Sequence, residues 1–184
     1  MRRPKVLLLI RLRESRIHAK FTNSNNMAFT TLIDGPFGGP DGGFFDDGTF
    51  DAEHKNIKSI QVFSGETIDR IIVEYTDGTS SFRRQHGGSD GGGANPVFSI
   101  NVEQGERLVE VSGHFGIFDT TVEITGLQFG KRDREGRLIR SDEAGPKQGQ
   151  FFNHPARPNE EIFSFFGREG LFLDALGFHV RQAQ

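Results

Sequence analysis

Two short loops carry the residue types best suited to holding a ligand. In "IFSFFGREGLFLDALGFHV" (Ile162 to Val180), Gly170 and Asp174 bracket a Gly-x-x-x-Asp loop between two alternating apolar runs. The same spacing recurs in "IKSIQVFSGETIDRIIVEY" (Ile57 to Tyr75), where Gly65 leads to Asp69. A carboxylate on a tight, glycine-led loop offers two acceptor oxygens and leaves neighbouring backbone N–H groups free to donate. Adjacent sugar hydroxyls both donate and accept, so each loop reads as a sugar-binding site. The bland alternative is an Asp that only bonds the N–H groups of its own turn.

Other patterns fail on their context. "GGSDG" (Gly87 to Gly91) matches a hydrolase elbow in letters, but "GGANP" follows it and no helix can start there. Ser89 is therefore expected to be a loop residue. Asp41, Asp46, Asp47 and Asp51 lie close together without the spacing of a calcium loop, so no calcium site is expected. The six histidines are scattered at no ligand spacing, which excludes a zinc motif. No nucleophile–base pair is readable, so the chain is not expected to be an enzyme and needs no cofactor.

The elements that must position these loops repeat. "RLVEVSGHFGIFDTTVEITGLQF" (Arg107 to Phe129) has the same strand, Ser-Gly, loop, strand order. Gly65, Gly113 and Gly167 stand 48 (113−65) and 54 (167−113) residues apart. A period of about 50 residues signals supersecondary units that cannot bury their apolar faces alone, and three such units around one core is the expected solution. In the third unit the fourth residue after Gly113 is Ile117 rather than Asp, so at most two sites are expected. Nineteen Phe and 24 Gly in 184 residues describe short strands with a Phe-rich core and tight turns, an all-β chain. Asp77-Gly78 between alternating runs marks a hairpin, Gln104-Gly105 marks another turn, and a short strand is expected around Arg137 to Arg140. No helix of ordinary length is expected.

The length suits one domain. Cysteine is absent, which rules out disulfides and thiolate metal sites. Residues 1 to 26 carry seven Lys/Arg against Glu14, a charge of +6, leaving −9 on the rest of a chain of net charge −3. The acidic body gives no reason to expect nucleic-acid binding. Residues 1–28 are expected to be a disordered basic extension before a domain spanning 29–184. "VLLLI" (Val6 to Ile10) is too short for a signal-peptide core, so a cytoplasmic location is expected, with secretion or organelle targeting by this segment as alternatives. No stretch is long enough to span a bilayer.

The chain resembles the jacalin-related lectins over roughly Ile33 to Gln182. The resemblance is carried by "GGPDGGFFDDG", "SIQVFSGETIDRIIVEY", "HGGSDGGG", "LVEVSGHFG" and above all "SFFGREGLFLDALGFHV". It implies a β-prism I fold, three four-stranded Greek-key sheets with pseudo-threefold symmetry, and sugar binding without metal or catalysis. Carried over by position, the primary site takes Gly42 and Gly170, Asp174 as acceptor for two hexose hydroxyls, and Leu171 and Phe172 as backbone donors. Phe118 to Thr121 form a wall. A second site takes Gly65, Asp69, Gly87 and Gly88. Galactose preference in the family goes with a cleaved chain, and Gly42 lies inside an uncleaved one, so mannose- or glucose-type glycans are expected. Glu169 stands where small residues are common and is expected to place a carboxylate beside the loop. Single-site affinity near millimolar, about −4 kcal/mol, requires two sites or a homodimer for useful avidity. The rival expectation is a prism that uses a Phe-rich edge for protein partners instead of sugar.

Overall fold

A computed structural model describes residues 12–13, 16–22, 28–48, 55–88 and 93–182, with side chains from Thr31 onward. Ser89 and Asp51 lie outside the described residues. Every regular element is a strand: β1 (Leu12–Arg13), β2 (Arg16–Thr22), β3 (Ala28–Gly38), β4 (Gly43–Asp46), β5 (Asn56–Ser64), β6 (Ile68–Thr76), β7 (Ser81–Gly87), β8 (Phe98–Asn101), β9 (Arg107–Phe118), β10 (Thr121–Arg132), β11 (Leu138–Arg140), β12 (Gln150–His154), β13 (Glu160–Glu169) and β14 (Leu173–Gln182).

The strands form three antiparallel sheets, each built on a central hairpin with one further strand on either side. The orders are β7-β6-β5-β8, β11-β10-β9-β12, and β3-β14-β13-β4. The third of these joins the beginning of the chain to its end, so the prism closes on itself. The expected all-β architecture of three four-stranded sheets is therefore present. β1 and β2 extend the last sheet beyond β3, making it six-stranded.

Of the expected lead-in, residues 1–28, only 12–13, 16–22 and 28 are among the described residues. Arg16–Thr22 pairs residue by residue with Ala28–Asp34, from Arg16↔Asp34 to Thr22↔Ala28. The physical reason is the alternation of "RIHAKFT", in which Ile17, Ala19 and Phe21 sit between polar residues at a strand period of two. Paired with β3, this run satisfies backbone groups that an open sheet edge would leave bare.

Aromatic side chains from all three sheets meet inside. Phe129 lies edge-on to Phe165 at 6.2 Å and Phe165 edge-on to Phe178 at 6.1 Å, while Phe98 reaches Phe129 at 6.3 Å. Around them Ile60, Ile71, Val73, Val111, Ile124, Leu127 and Leu176 are buried. T-shaped contacts of this kind add to area burial, and one continuous core ties the three sheets together.

Candidate functional site

The three central hairpins carry the same backbone construction at one point, and that point locates the candidate sites. β14 begins Leu173-Asp174 and β6 begins Ile68-Asp69, with Leu173 and Ile68 fully buried. Asp174 O accepts from Gly39 N–H at 2.9 Å, and Asp69 O accepts from Gly88 N–H at 3.2 Å. A Cβ on Gly38 or Gly87 would lie 2.2 Å from the carbonyl oxygen of Asp174 or Asp69, and both glycines have positive φ. Only glycine allows the flanking chain so close, which is why a Gly-Gly pair faces each Asp.

The third hairpin holds the same construction in another place than Ile117. There Thr125 O accepts from Lys147 N–H at 3.0 Å, and a Cβ on Gly145 would stand 2.3 Å from that oxygen. Thr125 follows the buried Ile124 as Asp174 follows Leu173. The sequences "LDAL", "IDRI" and "ITGL" align on this point. All three hairpins share a bulge at this position, at Thr125, Asp174 and Asp69, but the β9–β10 hairpin runs further outward, with pairs out to Thr121↔Phe118, so its equivalent position lies inside the strand rather than at its start. The absence of a third Asp stands, and the residue replacing it is Thr125. Its hydroxyl donates to Gln148 O and it is buried, so the third loop is closed by its own chain.

At the primary loop the structure brings together the residues expected there. A Cβ on Gly42 would lie 2.6 Å from Asp174 Oδ2, and one on Gly170 would lie 3.5 Å from the same atom. The turn is closed by Gly170 N–H donating to Phe172 O at 3.0 Å. Phe172 packs edge-on against Phe118 at 5.3 Å, which sets the Phe118 to Thr121 turn beside the loop as its wall. Leu171 is 80% exposed, so its side chain is not held in the fold. The second loop is similar: Gly65 stands beside Asp69, its Cβ position 3.6 Å from Asp69 Oδ2, and Gly88 lies against the Leu171 carbonyl, whose oxygen a Cβ there would approach to 2.4 Å. The two candidate sites are therefore neighbours at one end of the prism.

Backbone groups of the turns account for part of the carboxylate bonding. Asp69 accepts from Gly65 and its own N–H, and Asp174 from its own N–H. One oxygen of each, Oδ2, is left buried without a partner. Burial pushes both carboxyls above their ordinary value; at Asp174 the charge of Asp41 adds to this and Arg168 offsets it, and at Asp69 Arg70 offsets it. A buried acceptor without a donor is costly unless something supplies one, and a hydroxyl does.

Two acidic residues turn out differently from the sequence reading. Glu169 faces away from the primary loop: its Oε2 accepts from Gly87 N–H at 2.8 Å and lies 3.3 Å from His86 Nδ1. His86 Nε2 lies 3.0 Å from Asp47 Oδ1, Phe45 stacks on the His86 ring at 3.7 Å, and Tyr75 donates its hydroxyl to the other Asp47 oxygen. Lys55 Nζ completes this buried cluster by donating to Asp47 O at 2.6 Å and Ser164 Oγ at 3.2 Å. Burial lowers the Lys55 ammonium to about 8, against the raising effect of Asp47 and Asp46. Glu123, which sequence reasoning passed over, stands beside Asp174 within hydrogen-bond reach. Among the described residues no three His, Asp or Glu side chains are grouped to hold a metal ion.

Comparison with known proteins agrees with this construction. A family model for the Jacalin-like lectin domain matches residues 34–179. The chain is 32% identical over 148 residues to Horcolin of Hordeum vulgare, covering 79% of this chain and 94% of that one. It is 31% identical over 149 residues to Jacalin-related lectin 3 of Arabidopsis thaliana; there the match covers 80% of this chain but only 23% of the longer relative. Among solved structures, the artocarpin–mannotriose complex superposes with a TM-score of 0.67 at 30% identity, over 82% of this chain and 97% of that one. With its three-sheet prism and its match from 34 to 179, the chain belongs to the jacalin-related lectin family, a family of carbohydrate-binding lectins.

Proposed function

We propose that this chain binds mannose- or glucose-type glycans, without catalysis or metal, through the Gly170 to Asp174 loop and the Gly42 loop facing it. The observation that carries this reading is the buried, unpartnered Asp174 Oδ2 with Gly42 and Gly170 beside it. A carboxylate oxygen that accepts nothing inside the fold, on a turn that exposes backbone between glycines, fits hexose hydroxyls such as O4 and O6. The choice of mannose-type sugar is supported by the artocarpin relative, which was solved with mannotriose. The Asp69 loop repeats the arrangement and serves as the second site.

The test is calorimetric titration of mannose and galactose against the wild type and Asp174→Ala. Mannose binding near millimolar that weakens at least tenfold in the variant, with an unchanged circular dichroism spectrum, supports the reading. Equal binding in both proteins sinks it. A protein-interaction reading has one observation in its favour, Phe44 standing 66% exposed on the edge strand β4. A protein partner captured equally by wild type and Asp174→Ala, with no glycan signal, would replace the lectin reading with that one.

A further inference from the structure

The sheet β7-β6-β5-β8 carries a groove of about 1040 Å³ at its end away from the candidate loops. β5 runs from Asn56 to the Gly65 turn and β6 returns from Ile68 to Thr76, so the pairs Asn56↔Thr76 and Thr76↔Ser81 mark the end opposite the Asp69 loop. The strand period decides what faces the groove. Ile60, Val73 and Tyr75 are fully buried, and the outward positions line up across all four strands: Arg83 opposite Glu74, Glu74 opposite Ser59, and Ser59 opposite Asn101.

Two turns make this face concave. In one, Asp77 Oδ1 accepts from Thr79 N–H at 2.8 Å and Ser80 N–H at 2.6 Å. In the other, Glu106 N–H donates to Glu103 O at 2.9 Å, while Lys131 and Arg134 reach over from β10 and the turn after it to Asn101 O at 2.8 Å and Gln104 O at 2.9 Å. Both walls are thus fixed by bonds of their own. Between them β5 from Asn56 to Gln61 forms a floor roughly 15 Å long at the rise of a strand.

The lining selects a ligand class. Its charges balance, Lys58, Arg83 and Arg134 against Glu74, Glu103 and Glu106. They are also spent locally: Glu74 takes Lys58 at 2.7 Å and Arg83 at 3.1 Å, Glu103 takes Arg134 at 3.5 Å, and Glu106 takes Lys131 at 2.6 Å. The groove therefore presents no net charge to steer an anion such as a phosphate. It also lacks the apolar, aromatic centre of a protein interface, since Ile57 is buried and Val102 half-buried. What remains is Ser59, Gln61, Thr79, Ser81 and Asn101, hydroxyls and amides that both donate and accept.

We propose that this groove binds an uncharged, unbranched oligosaccharide, at a site separate from the loops and independent of the lectin reading of Asp174. Its size stands at the top of the range for small-ligand sites, so a single hexose covers too little of it to be held. The walls leave room along β5 and not across it, so the side branches of a mannan strike a turn. With the loops at one end of the sheet and the groove at the other, one molecule joins two different glycan chains.

The experiment is an NMR titration of the full chain carrying both Asp69→Ala and Asp174→Ala with cellotetraose and with maltotetraose, and with a heparin tetrasaccharide as the anionic comparison. At least one neutral tetrasaccharide, at millimolar concentration, is expected to shift the backbone amides of Ser59, Gln61 and Asn101 and of the two turns. Adding Ser59→Tyr, which fills the floor from an outward position, is expected to weaken that binding at least about tenfold. Gln61→Ala, which adds no bulk, is expected to weaken it about threefold at an unchanged circular dichroism spectrum. Absence of these shifts with both neutral tetrasaccharides, shifts that neither Ser59→Tyr nor Gln61→Ala diminishes, or a response to heparin alone overturns the inference. Equal mannose binding by wild type and Asp174→Ala sinks the loop reading and leaves the groove standing.

Discussion

Gly42 is where the primary site is most sensitive to a single methyl group. Its φ of +72° is costly for any residue with a Cβ, and that atom would fall 2.6 Å from both Asp174 Oδ2 and Glu169 O. Alanine at Gly42 therefore strains the backbone by about 1 kcal/mol and fills the space beside the acceptor oxygen. Gly43 is a natural control: its Cβ would meet only Glu169 O at 3.7 Å, an ordinary contact. Gly42→Ala is expected to weaken mannose binding about thirtyfold, or about 2 kcal/mol, whereas Gly43→Ala changes it by less than about threefold. Titration of the two variants side by side checks this, and equal behaviour of the pair would show that the sugar does not approach Gly42. The contrast also answers the sequence-level ambiguity over "GGPDGG", where four glycines carry the same letter. Gly38 serves close approach to Asp174 and Ala175, Gly39 serves close approach to Val122 while its N–H donates to Asp174 O, and Gly42 serves the carboxylate.

Among elements, the β13–β14 hairpin and the end of β7 are held together by Glu169. Its carboxylate satisfies Gly87 N–H and stands against His86, which is in turn fixed by Asp47 and the Phe45 ring. Removing it leaves one backbone donor unpaired at the junction of the two candidate sites. Because Glu169 is part-exposed, water replaces some of that bond, and Glu169→Ala is expected to cost about 1 kcal/mol, read as a lower urea midpoint at unchanged slope. An unchanged midpoint would mean the bond contributes nothing. The hairpins themselves were legible in the sequence because alternation and glycine-led turns are local: Gly170 to Asp174, Gly65 to Asp69, the Asp77-Gly78 turn and the short strand at Leu138–Arg140 all lie where the pattern put them. The position equivalent to Asp174 in the third hairpin was not, since counting from Gly113 assumes equal hairpins. The extra pairs out to Thr121↔Phe118 move it to Thr125. Glu123 was not legible for a related reason: its partner is 51 residues away (174−123), on another sheet, and neither spacing nor type announces the contact.

At the scale of the whole molecule, pseudo-threefold symmetry supplies three equivalent positions and the side chains decide how many are open. Asp174 and Asp69 each keep a buried oxygen without a partner, while Thr125 spends its hydroxyl on Gln148 O and is sealed by the chain from Gly145 to Lys147. On the proposed reading the prism offers two sugar sites, and Gly88 against the Leu171 carbonyl sets the two loops side by side at the same end. Two weak neighbouring sites suit a branched or repeating glycan, because the second contact forms at high effective concentration once the first is made. Calorimetry with free mannose is expected to give a stoichiometry of two for the wild type and one for either Asp69→Ala or Asp174→Ala. On a dense mannan surface each single variant is expected to lose about a hundredfold in retention, far more than the twofold loss of sites, and the double variant to lose binding altogether. A wild-type stoichiometry of one that Asp69→Ala leaves unchanged would show that the second loop copies the geometry of the first without its function. The polar difference between the loops would then lie in Arg70, whose guanidinium stacks on Phe63 at 3.9 Å beside Asp69, where the primary loop has Ala175.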